Sequence, residues 1–469
     1  MSNVVSPRMT DFRASGHAVP IDGVDQLVEQ MHRGATPRDS WRIGTEWEKL
    51  VVDRTTGRAA PYFGPRGIER VLRELAERFG WEPSDEAGHV IALQRDGASI
   101  TLEPGGQLEL SGAPFATLHD SHRELATHVR ELVTVTDGLG LAVLGLGIQP
   151  LSTLDEIEWV PKPRYAVMAP YMTRVGTMGH RMMKQTATVQ ANVDWSDEAD
   201  AMRKLRVGQG IAPLVNAMFA NSTLVEGRPS GWRSFRGHVW TDTDPARCGI
   251  QRFAFRDGVG FADYVQWALD VPLYFILRDG KYRTDVTGMP FRRFLEGGVP
   301  GERATLDDWS LHLTTLFPEV RLKTFLEIRS ADGQPVDRVL ALPALVKGLF
   351  HEPDCLHAAW DLVKKWSWED VRELLDAAAA DALAARTAGM RVVEYAKELL
   401  AIADEGLRRQ GVRSSGGRDE RIYLEPLRAH VADGVTPADL VAGAWSTRFA
   451  ESVPRLVDAL AVRPVADSP

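Results

Sequence analysis

The order of its elements predicts an α+β protein: a curved antiparallel sheet with one polar face in the first two thirds of the chain, and a largely helical last third. Three observations carry this. Residues 184–194, KQTATVQANVD, alternate strictly, with Thr186, Thr188, Gln190, Asn192 and Asp194 on one parity and Ala187, Val189, Ala191 and Val193 on the other. Successive strand side chains point to opposite faces, so one face is apolar and the other a row of oxygens and amides. Three further strand-like stretches hold carboxylates on a shared parity, and the last third is dominated by helical spacing.

Residues 1–20 lack the apolar core of a secretory signal and read as a flexible arm, leaving 21–469 as a single domain. A helix over 21–34 has Asp22 as its candidate cap and Val24, Leu27, Val28 and Met31 on one side. The strand 43–52 follows, with Glu46 and Glu48 two apart and so on one side. A helix over 64–80 then carries an apolar stripe of Ile68, Val71, Leu72, Leu75 and Phe79. In the hairpin 100–112, Gln107 and Glu109 share a face, with Glu103 across a Pro-Gly-Gly turn. The helix 116–138 holds His119, His122 and His128, whose spacing does not build a two-ligand zinc face.

Residues 139–150 read as a buried strand. Gly145 and Gly147 lack the third glycine and the following helix of a dinucleotide turn, and no P-loop pattern occurs in the sequence. Residues 159–183, rich in Arg, Tyr and Met, read as an irregular binding loop over the sheet. After the 184–194 strand come a helix over 198–221 and an alternating VWTDTD stretch at 239–244, whose Asp242 and Asp244 suit a turn. A helix and strand over 260–280 lead into 285–294. In the strand 322–332, Lys323, Glu327 and Arg329 oppose Leu326 and Ile328. Helices over 336–350, after Ser367 and over 391–411, a loop at 414–419, and a helix with Thr436 as cap and Pro437 in its first turn complete the chain.

The polar face is chemically unusual, because its groups are compact hydrogen-bonding residues rather than the Lys, Glu and Arg of a solvated surface. Several carboxylates converging on it would repel one another unless cations lay among them. Magnesium with a polyphosphate is the natural occupant. The 55 basic and 64 acidic residues, with no basic run, give no footprint for nucleic acid. No apolar run reaches membrane-spanning length. The two cysteines, Cys248 and Cys355, fit a reducing compartment better than a disulfide scaffold.

The strings IGTEWEK, LEPGGQLELSGAP, RYAVM, TATVQANVD, FRGHVWTDTD, ALDVPLYF, FPEVRLKTFLEIRSADG and ALPALVKGL occur in this order. Together they resemble the plant and bacterial type of glutamate-cysteine ligase, over a span from about Trp41 to the TPADL helix. The resemblance implies a glutamine-synthetase-like fold and ATP-dependent joining of the γ-carboxylate of L-glutamate to the amine of L-cysteine through a γ-glutamyl phosphate. That is the first step of glutathione synthesis. With the shared parity, it implies Mg²⁺ held by Glu46, Glu48, Glu103, Glu109 and Glu327, with Gln190 and Arg329 beside the nucleotide. Arg164 and Arg236 become the catalytic cations and grip the substrate carboxylate or the transferring phosphoryl group. Tyr165, Asn192, Trp240 and Tyr274 match positions near the amino-acid substrates.

Ser330 stands where the family usually has Gly, and the cysteines that pair for redox control in the plant enzymes have no counterpart. Together with the absence of a transit-like leader, this leads to the expectation of a bacterial, cytoplasmic monomer or homodimer. The alternatives are a related ligase with another amine, the same reaction feeding ergothioneine synthesis, a kinase that stops at the acyl phosphate, or a binding protein on the same scaffold.

Overall fold

The computed structural model describes residues 19–387 and 389–467, so the arm expected over 1–20 falls almost wholly outside the described residues. Nine strands form the main sheet: β1 (Ile43–Asp53), β2 (Glu82–Glu86), β3 (His89–Arg95), β4 (Ala98–Leu102), β5 (Leu108–Ser111), β6 (Leu141–Leu144), β7 (Thr188–Val193), β8 (Val320–Leu322) and β9 (Leu326–Asp332). Their order is β8-β9-β7-β1-β5-β4-β3-β2, with β6 on the second half of β1. All these pairings are antiparallel.

The register turns the parity argument into rows across the sheet. Glu46 lies between Gln190 on one side and Ser111 on the other, Glu48 faces Glu109, and Glu327 lies between Asn192 and Arg321. The opposite face, with Trp47, Val189, Ala191 and Val193, is fully buried in the main core. Helices α1 (Leu118–Gly138), α4 (Glu198–Met218) and α6 (Ala341–Phe350) pack on the sheet. Helix α4 is buried almost all round because the helices Pro353–Val363 and Trp368–Asp381 close over it, which is why its sequence shows little amphipathic contrast. His119 and His128 of α1 are core residues. Among the described residues no helix is long and apolar enough to cross a membrane.

Three segments depart from the sequence expectation. The expected loop 159–183 contains α2 (Tyr165–Val175) and α3 (Gly179–Gln185). Tyr165, Met168 and Met172 lie at helical spacing and are buried, so packing overrides the Arg-rich, Pro-containing composition. The expected strand 239–244 is overtaken by α5 (Phe235–Thr241). Two periods of alternation cannot be told from one helical turn, and Ser234 fixes the outcome by accepting a hydrogen bond from Gly237 N at 2.9 Å. The single strand 322–332 is instead the hairpin β8–β9, turning at residues 323–325.

The cap of α5 is tied to the sheet. Asp332 accepts from Ser234 Oγ at 2.8 Å, from Ser222 Oγ at 2.6 Å and from Asn221 N at 2.7 Å, all buried. Ser234→Ala removes the cap and leaves one Asp332 oxygen short of a donor. The expected cost is about 2 kcal/mol by chemical denaturation, with a fall in activity because α5 carries Arg236 and Trp240.

Candidate active site

A cavity of about 140 Å³ opens on the polar face of the sheet. Its acidic wall is built by three pieces of chain. β1 presents Glu46 and Glu48 on one side, β5 contributes Glu109, and the turn between β4 and β5 brings in Glu103. That turn needs its glycines: Gly106 has φ +82°, and a Cβ on Gly105 would lie 2.2 Å from the Lys184 carbonyl oxygen. Gln107 braces it, accepting from Gly105 N at 2.9 Å and donating to Thr186 O at 2.8 Å.

One carboxylate oxygen each from Glu48, Glu103 and Glu109 lies within 4.8 Å of the others. Like charges directly opposite on neighbouring strands repel, and here they are also withdrawn from water. Burial first, and the Glu103 carboxylate second, push Glu48 up to about 8, although Thr188 N donates to it at 3.0 Å. Burial, followed by Glu46, Glu103 and Glu48, holds Glu109 well above the carboxylate range. Glu46 is raised by burial and then by Glu327, and both its oxygens are occupied: Gln190 Nε2 donates at 3.0 Å and Asn192 Nδ2 at 2.7 Å.

Glu327 behaves differently. It is completely buried, outside the cavity wall, and paired to Arg321 by two bonds, with Arg329 at 3.3 Å and Lys323 at 3.9 Å. Burial would raise it, but Arg321, Lys323 and Arg329 together outweigh burial and hold it well below the carboxylate range. The structure therefore brings Glu48, Glu103 and Glu109 together, sets Glu46 beside them in an amide clamp, and places Glu327 as the anion at the centre of a basic cluster.

Four guanidinium groups, those of Arg164, Arg236, Arg321 and Arg329, line the same cavity as the acidic wall. Arg236 is buried and fixed at both ends: its backbone N donates to Ser222 Oγ at 3.0 Å and its Nη2 to Arg329 O at 3.0 Å. Arg329 in turn donates to Gln190, so one chain of contacts runs from the cations to Glu46. Arg164 lies over the Tyr165 ring at 5.2 Å, and Tyr165 and Trp240 line the cavity. Asn192 and Tyr274 are not on its wall. Asn192 clamps Glu46, and Tyr274 is buried beneath Arg247 at 4.0 Å.

The residue that sequence reasoning missed is Arg321, one position before the stretch read as a strand. Its signal was the hairpin itself, which sets residues 321 and 327 opposite each other. The apolar end of the cavity, with Met168, Met182, Phe275 and Phe317, was also unread, because its residues come from elements far apart in sequence. Asp244 does serve a turn, accepting from Ala246 N at 3.0 Å, and it neutralises buried Arg247. Cys248 and Cys355 are both free thiols, pushed above the usual range by burial.

Known proteins resemble this chain over most of its length. The sequence profile of glutamate-cysteine ligase family 2 (GCS2) matches residues 42–458. Glutamate-cysteine ligase B, chloroplastic, of Oryza sativa subsp. japonica is 42% identical over 432 residues, 92% of this chain and 85% of the rice protein. The chloroplastic glutamate-cysteine ligase of Arabidopsis thaliana is 41% identical over 432 residues, 92% and 81% of the two chains. The crystal structure of a glutamate-cysteine ligase from Francisella tularensis in complex with AMP superposes with a TM-score of 0.53 at 14% identity, covering 89% of this chain and 87% of that one. At that identity the likeness establishes the fold alone. These relatives correct one expectation: the matched plant enzymes are chloroplastic by name, which overturns the cytoplasmic placement drawn from the sequence. A profile match across nearly the whole chain, and identity above 40% with full-length enzymes, establish that the chain belongs to glutamate-cysteine ligase family 2 and is a ligase.

Proposed function

We propose that residues 21–469 act as one catalytic unit that uses ATP to join the γ-carboxylate of L-glutamate to the amine of L-cysteine. The products are γ-glutamylcysteine, ADP and phosphate, and the path runs through γ-glutamyl phosphate. The observation that carries the proposal is that one cavity gathers three crowded carboxylates, two of them, Glu48 and Glu109, with raised pKa values, together with four arginines. Three carboxylates whose oxygens lie within 4.8 Å of one another are a hard-oxygen donor set, so Glu48, Glu103 and Glu109 fit Mg²⁺. Bound there, the ion would supply charge neutralisation along the phosphates of ATP.

The chain's own residues supply the rest. Gln190 and Asn192 hold Glu46 in one orientation, and Glu46 adds negative potential without joining the close trio. Arg236, immobilised at both ends, and Arg164 meet the developing charge on the transferred phosphoryl group and the glutamate carboxylates. Among the described lining residues there is no Ser, Cys or His, so neither a Ser-His nor a Cys-His pair lines the cavity. Soft, polarisable Met168 and Met182 with Phe275 and Phe317 suit a thiol-bearing amine at the apolar end.

Phosphate release by the purified protein with MgATP and L-glutamate, with and without L-cysteine, tests the proposal. The expected result is cysteine-dependent release with a γ-glutamylcysteine mass, and a hydroxamate when hydroxylamine replaces cysteine. Turnover with another amine but not with cysteine would overturn the substrate assignment. Hydroxamate without any amide product would reduce the activity to that of a kinase.

A further inference from the structure

A second cavity, of about 260 Å³, lies outside the catalytic face between α4, the end of α6 and α7 (Pro353–Val363). Its chemistry is as specific as its size. Arg38, Arg203 and Arg206 line it together with Trp41, Trp360 and Phe350. Asp200 is the single carboxylate among the described lining residues, and it is already committed. It is buried, accepts from Ser196 N at 3.0 Å and pairs with fully buried Lys204 at 2.9 Å. Arg206 donates to Asp257 at 3.1 Å through Nη1 and to Phe255 O at 3.1 Å through Nη2, while its Nε is buried with no described partner. Arg38 and Arg203 are solvent-exposed and, among the described residues, form no salt bridge. The wall therefore carries an excess of positive charge.

Both tryptophans are already cation-bearing. Lys204 Nζ lies 3.5 Å from the Trp41 ring centroid and Arg206 Cζ lies 4.3 Å from that of Trp360. Aromatic faces beside guanidinium groups recognise flat rings and phosphate oxygens together. Here the arginines converge on a concave space lined by apolar rings, the usual make-up of a ligand site.

The geometry points to a second ligand site in this cavity, one that takes a planar, ring-bearing organic phosphate, with the ring among Trp41, Phe350 and Trp360 and the phosphate on Arg38, Arg203 and Arg206. The site is separate from the catalytic cavity and shares no lining residue with it.

Isothermal titration calorimetry with 1-naphthyl phosphate tests this, with inorganic phosphate and 1-naphthol as the arms lacking the ring and the charge. Wild-type protein should bind 1-naphthyl phosphate saturably, with a dissociation constant of about 1 mM or tighter for a ligand of this size, and the other two at least tenfold more weakly. The double reversal Arg38→Glu/Arg203→Glu should weaken that binding at least tenfold. It should leave turnover with MgATP, L-glutamate and L-cysteine unchanged, which also shows that the variant is folded. Absence of saturable binding to the wild type would overturn the proposal. So would binding that the double reversal leaves intact, because the probe would then sit elsewhere, or equal binding of inorganic phosphate, because the ring would then contribute nothing.

Discussion

Glutamine in place of Glu48 is expected to lower turnover on the order of 10²- to 10³-fold while raising the melting temperature of the metal-free protein. The two effects have one cause. Glu48 faces Glu109 across the strand pair and shares its surroundings with Glu103, so its charge is costly unless a cation is present. A neutral amide keeps the shape, can still accept from Thr188 N, and removes the repulsion, a relief of about 1–3 kcal/mol in the absence of metal. A residue with only a structural role would lose activity and stability together.

The pH dependence follows the same sign. The folded state holds the Glu48 proton up to about pH 8, against 4.5 for the ordinary group. Below 4.5 both folded and unfolded chains are protonated and no penalty exists. As pH rises from about 4.5 to 8 the unfolded chain ionises first, and the metal-free fold loses up to about 1.4 kcal/mol per pH unit. Scanning calorimetry should therefore show the stabilisation by added Mg²⁺ growing across this window, and Glu48→Gln should flatten that growth. A Mg²⁺ effect independent of pH would remove the carboxylate trio as the metal site.

Glu327→Gln should act in the opposite direction, costing about 3–5 kcal/mol of stability. Among the described residues this carboxylate is the only one paired with Arg321, in a buried setting with Lys323 and Arg329 also in reach. Removing its charge leaves buried Arg321 without its carboxylate partner and takes a negative charge from beside the partly buried Lys323 and Arg329. Glu46, relieved of the Glu327 field, would ionise more readily and recover part of the loss. The contribution of Glu327 is fully present above pH 4.5 and is lost as pH falls below it, because its folded pKa is depressed. Urea denaturation of Glu327→Gln and of the double variant Glu327→Gln/Arg321→Met provides the measurement. The double variant should recover stability relative to the single one, and equal losses in both would show that the ion pair carries little.

The contrast between these two glutamates marks how far the sequence could be read. A period of two is rigid, so parity placed Glu46, Glu48, Glu109 and Glu327 on one face, and the Pro-Gly-Gly turn brought Glu103 to it. Parity does not say which neighbour a side chain meets across the sheet. The pairing of Arg321 with Glu327, and the use of Asn192 to hold Glu46 rather than to face the cavity, depend on register and turn placement. The segment 159–183 was misjudged because composition spoke for a loop, while the buried side of Tyr165, Met168 and Met172 needs a partner surface visible only in the fold. Arg164 and Arg236 were named through family resemblance alone, since nothing local distinguishes them from other arginines.

The Asp332 hydrogen bonds that cap α5 also bear on how the enzyme is made. Synthesis releases the chain from its N-terminus, so Ser222, Ser234 and Arg236 emerge well before the carboxylate that fixes them. Pairing across 110 residues pays its loop-closure entropy only when β9 docks beside β7. A nascent or truncated chain ending before residue 332 would display most of the acidic wall with its arginine helix untethered. Competence is thus withheld until the sheet is complete, so an unfinished chain holds the carboxylates without the secured Arg236 needed to use them.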